Sequence, residues 1–226
     1  MGQDYKPEHG ILTLDPSFKN LAYSVFDIPN KRVTLGKVGT PLGTKIGFDV
    51  VFNAVGQQWD NLHKALSDIH VADNYSDYDD AIMIDNVFSE TPPPVSQFSS
   101  GLYALDTFIL FNLFNSIQSI REVFSIPPSY LSTVHGTSKY KKTDSTVLAR
   151  YFIDELLAND LNVEYVPTIS DTGRVVKGKL SNDVAESFLF LLRAIVRYNI
   201  YGLGGKIMSY CAGLGSPTEV LIASRY

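Results

Sequence analysis

Four acidic residues stand where carboxylates can do chemistry. Asp15 closes the apolar run Ile11-Leu-Thr-Leu, and Asp85 closes a second run, Ala81-Ile-Met-Ile. Open α/β sheets place their ligand sites outside the carboxyl ends of the strands, where both residues would then stand. Asp183 and Glu186 lie three apart in a stretch with helical spacing, so both project from one helix face. Carboxylates gathered in one place repel unless a cation sits between them. Mg²⁺ takes carboxylate oxygens and keeps several waters for substrate contacts, and Mn²⁺ accepts similar ligands. Two such ions about 4 Å apart activate a water and stabilise the leaving oxygen of a cleaved phosphodiester. The expectation is a two-Mg²⁺ site built from Asp15, Asp85, Asp183 and Glu186. Each residue also has a structural alternative. A strand-terminal Asp caps loops, and Asp85 followed by Asn86 can open a turn. Asp183 suits a helix first turn, with Glu186 as its capping-box neighbour.

The elements that must position these groups are legible in outline. Ile11–Asp15, Leu21–Phe26 and Arg32–Val38 read as three strands, the last two joined through Pro29-Asn30. Val50–Ile69 has helical spacing, with Val51, Val55, Trp59, Leu62 and Leu66 on one face. Ala81–Asp85 reads as a fourth strand. Ser89–Ser100, with Pro92-Pro93-Pro94, reads as a loop. A long helix over Leu102–Phe124 and a short strand over Tyr130–Val134 follow. A helix capped by Thr143 or Asp144 runs to about Leu157, and Asn182 caps a last one over Asp183–Tyr198. Three strands followed by alternating units predict an α/β fold, a mixed five-stranded sheet with helices on both faces. One domain over 1–226 is the simplest organisation. Its core spans about 10–198, with an insertion at 159–179 and a Gly-rich extension at 199–226.

Composition narrows the classes. The chain has 226 residues, 45% apolar and 19% charged, as in an ordinary globular protein. A net charge of -5 argues against coating nucleic acid through bulk charge, unless the acids are gathered at a metal and basic residues flank it. A single cysteine, Cys211, forms no internal disulfide and fits a reducing compartment. Residues 1–9 are polar and contain Pro7, so no signal peptide is expected. The most apolar stretch, Leu102–Phe114, is interrupted by Asp106 and Asn112 and is shorter than the roughly 20 residues of a bilayer span. A soluble protein without membrane contact is expected, cytoplasmic or nucleoid-associated, or in a host-cell compartment if viral.

Several segments carry a family likeness. Leu14-Asp15-Pro16-Ser17-Phe18-Lys19-Asn20-Leu21-Ala22-Tyr23 resembles the first strand and turn of RuvC-type Holliday junction resolvases, and its Lys19-Asn20 pair resembles the poxviral and mitochondrial branches. Ala81–Phe88 resembles the family's fourth strand, an acidic end with Phe three positions on. Val134-His-Gly-Thr-Ser-Lys-Tyr-Lys-Lys-Thr-Asp144 resembles the segment with the family's functional lysine. Ser181-Asn-Asp-Val-Ala-Glu-Ser187 resembles its acidic-x-x-acidic helix start. The likeness spans about residues 10–198. It implies a ribonuclease-H-like fold and a homodimer that cuts two strands of branched DNA symmetrically. Asp85 stands where the bacterial enzymes have Glu, and Glu90, five residues on, is its rival as ligand.

The basic residues are clustered. Lys139, Lys141 and Lys142 precede one helix, and Arg174, Lys177 and Lys179 precede Asp183. Such side chains supply sequence-independent contacts to DNA phosphates, although solvated loop charge is the alternative. Lys142 is the candidate for the scissile phosphate, and His135 is either structural or a water-positioning group. Phe88 has the spacing of the family's base-stacking aromatic, worth about 1–3 kcal/mol per base, and could otherwise anchor the proline-rich loop. The helix after Leu102 is apolar on several faces, so it is either central or shared with a second copy. The leading expectation is an Mg²⁺-dependent junction endonuclease. Alternatives are a less selective nuclease on flaps, forks or RNA–DNA hybrids, and a non-catalytic branched-DNA binder. An actin- or sugar-kinase-like phosphotransferase would need a second Gly-rich phosphate hairpin and far more chain.

Overall fold

The computed structural model describes residues 5–39, 48–74, 80–91, 97–126, 142–169 and 175–213. It opens with β1 (Gly10–Pro16), β2 (Asn20–Asp27) and β3 (Arg32–Gly39), an antiparallel meander. Helix α1 (Phe48–Asp68) crosses to β4 (Asn86–Glu90), and α2 (Gln97–Ser116) crosses to β5 (Glu122–Ile126). Helix α3 (Lys142–Tyr151) runs into one π-helical turn, Phe152–Leu156. Then come β6 (Asn162–Tyr165) and a small hairpin of β7 (Thr168–Ile169) and β8 (Val175–Val176). Helices α4 (Asn182–Tyr198) and α5 (Leu203–Gly213) close the described chain.

The main sheet has the order β5-β4-β1-β2-β3-β6, and only β2 runs against the others. Its first five strands have the order and directions of a ribonuclease-H-like sheet. The expected five-stranded sheet is thus extended by one. Residues 159–179 supply the extra strand, because β6 finds the free edge of β3 and pairs with it in parallel from Arg32–Asn162 to Leu35–Tyr165.

Helices cover both faces, which explains why β1 and β2 are apolar almost throughout. Leu12, Leu14, Tyr23 and Val25 pack with Leu62 and Leu66 of α1 and with Leu105, Ile109 and Leu113 of α2. Ile11, Ala22, Phe26 and Phe88 pack on the opposite face, against Ala149 of α3 and Val184–Leu192 of α4. Alternation along β1 therefore sends Leu12 and Leu14 one way and Ile11, Thr13 and Asp15 the other.

A polar pin crosses the second interface. Thr13 Oγ1 donates to the Ser187 carbonyl at 2.7 Å, and the Ser24 and Ser187 hydroxyls lie 2.9 Å apart, all fully buried. The hydroxyl of Ser181 caps α4 by accepting from Val184 N, one residue earlier than the expected Asn182.

Two elements differ from expectation. The fourth strand is not Ala81–Asp85 but the next five residues. Ala81–Asp85 is an extended approach with one bridge, Val71 to Ile82. Polar Asn86, Ser89 and Glu90 concealed the true strand, yet Asn86 and Ser89 are fully buried: Asn86 Nδ2 donates to the Tyr5 carbonyl and the Tyr198 hydroxyl oxygen, and Ser89 Oγ donates to Asp106. The long helix expected to Phe124 ends at Ser116, and Glu122–Ile126 instead pairs with β4. An unbroken apolar run cannot by periodicity alone separate a helix from the strand after it. The expected strand at Tyr130–Val134, His135 and the segment beyond Gly213 lie outside the described residues. No described helix is long and apolar enough to cross a membrane.

Candidate carboxylate site

Asp15 is the next-to-last residue of β1, on the face covered by α4, and is 8% exposed. The parallel pairing of β1 with β4 runs from Ile11–Asn86 to Leu14–Ser89, so the next step sets Glu90 beside Asp15. Phe88 belongs to the core on the α4 side, and alternation sends Glu90 the same way. Asp183 and Glu186 come from the first turns of α4, with Glu186 buried at 5% exposure. Four carboxylates thus gather at the carboxyl ends of β1 and β4 under the start of α4.

Their mutual field is visible in Asp15. Its carboxyl is held well above the usual carboxylate range, chiefly by burial, then by the charge of Glu90 and a hydrogen bond to it, then by Glu186 and Asp183. Two carboxylates joined by a hydrogen bond share a proton, since a bare pair would repel. A group with a raised folded pKa stabilises the fold while protonated. That contribution is complete below the ordinary carboxyl range and is lost as pH rises through the raised value. In metal-free protein, Asp15→Asn is therefore expected to raise the melting temperature at neutral pH and to leave it little changed in acid. One kcal/mol corresponds to about 2–4 °C for a chain of this size. Calorimetric scans of both proteins across pH check this, and a lower Tm for the variant at neutral pH would contradict it.

Neighbouring groups hold the frame. Ser17 Oγ donates to the Asn20 carbonyl at 2.6 Å and closes the turn after Asp15. Gln58 of α1, 1% exposed, donates to the Ser17 carbonyl at 2.9 Å. The hydroxyl of Ser145 on α3 lies 3.5 Å from Glu186 Oε1, and Thr146 donates to Asn182 at 2.7 Å. The first turns of α3 and α4 are thereby joined.

Asp85 belongs elsewhere. It precedes β4, opposite Gly10, at the amino end of the strand. Five residues of extended chain separate it from Glu90, about 16 Å at 3.3 Å per residue. Its Oδ2 accepts from the amides of Glu8 (2.8 Å) and His9 (2.7 Å), and Oδ1 lies 3.2 Å from His9 Nδ1. It ties down the segment before β1. The expectation that Asp85 joins Asp15 is corrected, and Glu90, the rival, occupies that place.

Phe88 is also corrected. It is 2% exposed, stacks on Phe124 with ring centroids 4.6 Å apart, and meets Tyr198 edge-on at 6.5 Å. Helix α4 covers it, so it has no face free for a base. It anchors the core rather than a loop.

Lys177 and Lys179 are exposed on the segment between β8 and Ser181, four to six residues before Asp183. Lys19 is exposed in the turn after Asp15, a position not singled out from the sequence as a contact. Lys142 opens α3, three residues before Ser145. Its side chain, with Lys139, Lys141 and Arg174, lies outside the described residues.

The donor set is all oxygen and anionic, which fits a hard divalent cation such as Mg²⁺ or Mn²⁺. Among the described residues no three acidic or histidine side chains already surround one point. Asp15 and Glu90, hydrogen-bonded to each other, stand where a cation would draw the oxygens together.

No family model matches the chain, and no curated protein matches it. Solved structures similar in shape include Thermus thermophilus RuvC in complex with a Holliday junction substrate, at 11% identity, TM-score 0.45, covering 92% of this chain and 97% of that one. The human cytomegalovirus terminase nuclease domain is similar at 14% identity and TM-score 0.36, covering 92% and 84%. A hexokinase of the ROK group from Thermus thermophilus gives 15% identity and TM-score 0.29, covering 63% and 38%.

Proposed function

We propose that the chain is a divalent-metal-dependent endonuclease that hydrolyses phosphodiesters of branched DNA, four-way junctions first among them. The observation that carries this reading is the convergence of Asp15, Glu90, Asp183 and Glu186 at one end of the sheet, under the first turns of α4.

In this reading Asp15, Glu90, Asp183 and Glu186 would hold two Mg²⁺ or Mn²⁺ ions. The bound ions supply a water acidified for attack and charge stabilisation for the leaving oxygen. The chain does the rest. Strand ends and a capped helix fix the carboxylates, so the oxygens need little rearrangement during the reaction. Lys142, one turn from Ser145, is assigned to the scissile phosphate. Lys177 and Lys179, with Lys139 and Lys141, are assigned to phosphates farther along the strand. A basic rim beside an acidic centre lets a protein of net charge -5 hold DNA.

A homodimer belongs to the proposal. The outer face of α2 exposes Tyr103, Phe108, Phe111 and Phe114, the last two 68% and 57% exposed. Four large aromatic residues on one outward helix face suit a two-fold contact between identical chains. Two sites related by such an axis would cut two strands of a junction in pairs.

The second reading, a less selective ribonuclease-H-like nuclease, is favoured by one observation. Phe88 is buried and cannot wedge open a junction centre. The two readings separate in one experiment. Purified protein with Mg²⁺ or Mn²⁺ is given a synthetic four-way junction, a fork, a flap, an RNA–DNA hybrid and linear duplex. Paired nicks in the junction alone support the first reading, and comparable cutting of all branched substrates supports the second. Every substrate left intact in both metals would end the nuclease proposal.

A further inference from the structure

Helix α2 buries one carboxylate in a wholly apolar row. Asp106 is 0% exposed and lies between Leu105 and Ile109 on the side facing the sheet. Its two oxygens take separate partners. Ser89 Oγ donates to Oδ1, and Thr91 Oγ1 donates to Oδ2 at 2.5 Å. Ser89 is fully buried, and the Thr91 amide continues the ladder to the Ile126 carbonyl at 3.0 Å.

These two hydroxyls belong to the residues on either side of Glu90. Side chains alternate along a strand, so Ser89 and Thr91 face α2 while Glu90 faces α4. Holding both neighbours from behind fixes the two peptide planes that set the direction of the Glu90 side chain. The last residue of a strand otherwise has ladder bonds on one side only and frays. A single carboxylate suits this task because it accepts from two donors at once, one on each oxygen. The arrangement is not the cheapest way to fill the space. Burial raises the Asp106 pKa, and the two hydroxyl bonds offset this only in part. Apolar side chains at all three positions would avoid that cost.

We propose that Asp106 is a positioning residue for Glu90, a two-point clamp that aims the Glu90 carboxylate at Asp15 and so presets the cation site. This rests on the reading of Glu90 as a metal-site carboxylate. Partners of ligating groups behind a metal site typically change affinity by about 10–100-fold when removed.

The test removes the clamp without leaving a buried polar group unpaired. The triple variant Ser89→Ala, Thr91→Val, Asp106→Leu replaces all three members with apolar side chains, and Mn²⁺ affinity is measured by titration calorimetry beside thermal unfolding. The expected result is a melting temperature at or near that of the wild type with Mn²⁺ affinity reduced about 10–100-fold. A purely structural clamp would move the melting temperature and leave the affinity alone. Glu90→Gln is run in parallel. If Glu90→Gln weakens Mn²⁺ binding and the folded triple variant binds as the wild type does, the clamp proposal is overturned and the reading of Glu90 stands. If Glu90→Gln binds Mn²⁺ like the wild type, both are overturned. Should the triple variant fail to fold, Thr91→Val alone decides. It removes one arm at a half-buried position, and wild-type affinity there overturns the clamp.

Discussion

Glu90→Gln is expected to reduce strand cleavage by about a thousandfold or more, while Asp85→Asn keeps the rate within a few-fold of wild type. The first figure follows from removing one charge in a water-poor cluster, where a single preorganised electrostatic contact is worth about 10²–10³ in rate and a metal-bearing one at least that. Gln keeps nearly the shape of Glu and can still hydrogen-bond Asp15, but it cannot help neutralise a dication. The second follows from position. Asp85 accepts from the amides of Glu8 and His9 at the far end of β4, and its other oxygen faces His9 Nδ1. Asn in its place can still accept from the two amides and turn its own N–H to His9 Nδ1, at a cost of about 0.5–1.5 kcal/mol in stability with no contact to the site. Initial rates on the preferred substrate in Mn²⁺, with denaturant midpoints for both variants, separate the effects. An active Glu90→Gln beside a dead but folded Asp85→Asn would return Asp85 to the site and remove Glu90 from it.

Phe111→Glu combined with Phe114→Glu is expected to convert a dimer into a folded monomer, with the dissociation constant raised about a thousandfold or more. Buried interface aromatics typically cost 2 kcal/mol or more each on truncation, and about 4 kcal/mol corresponds to three decades. Introducing two carboxylates opposite their symmetry mates adds repulsion. The fold should survive, because the core side of α2 is carried by Leu105, Ile109 and Leu113. Sedimentation equilibrium reads the association and far-ultraviolet circular dichroism reads the fold. On the proposed function, the monomer should nick junctions singly and the wild-type protein in pairs. A wild-type protein that is monomeric at micromolar concentration would refute the interface outright.

Much of this arrangement was legible in the sequence, for reasons that differ residue by residue. Asp15 could be read because an acid at the end of an apolar strand is conspicuous. Asp183 and Glu186 could be read because helix periodicity places i and i+3 on one face without knowledge of the rest of the fold. Glu90 was harder. Its neighbour in space is fixed by the register of β4 on β1, and neither strand carries that register alone. The apolar run ending at Asp85 drew attention to the wrong end of the strand, because the paired residues Asn86, Ser89 and Glu90 are polar. Asp106 carried a signal that the sequence reading did not use. An acid in the interior row of an otherwise apolar helix requires buried donors, and the two it takes, Ser89 and Thr91, flank Glu90. Phe88 misled for the converse reason. Its spacing from Asp85 matched a stacking residue, but its parity along the strand places it with Glu90 on the face that α4 covers.

The hydroxyl pin between Thr13, Ser24 and Ser187 has a consequence for mechanical tolerance. A helix held on a sheet by apolar contacts alone has neighbouring seatings, one side-chain ridge away, that differ little in energy. Here any such slip would strand a buried hydroxyl, at about 1–3 kcal/mol for each group left unpaired. Ser187 directly follows Glu186, and Thr13 lies two residues before Asp15 on the same face. The alignment of acids from two separate elements is therefore indexed one step below the acids themselves, in a part of the interior that no substrate touches.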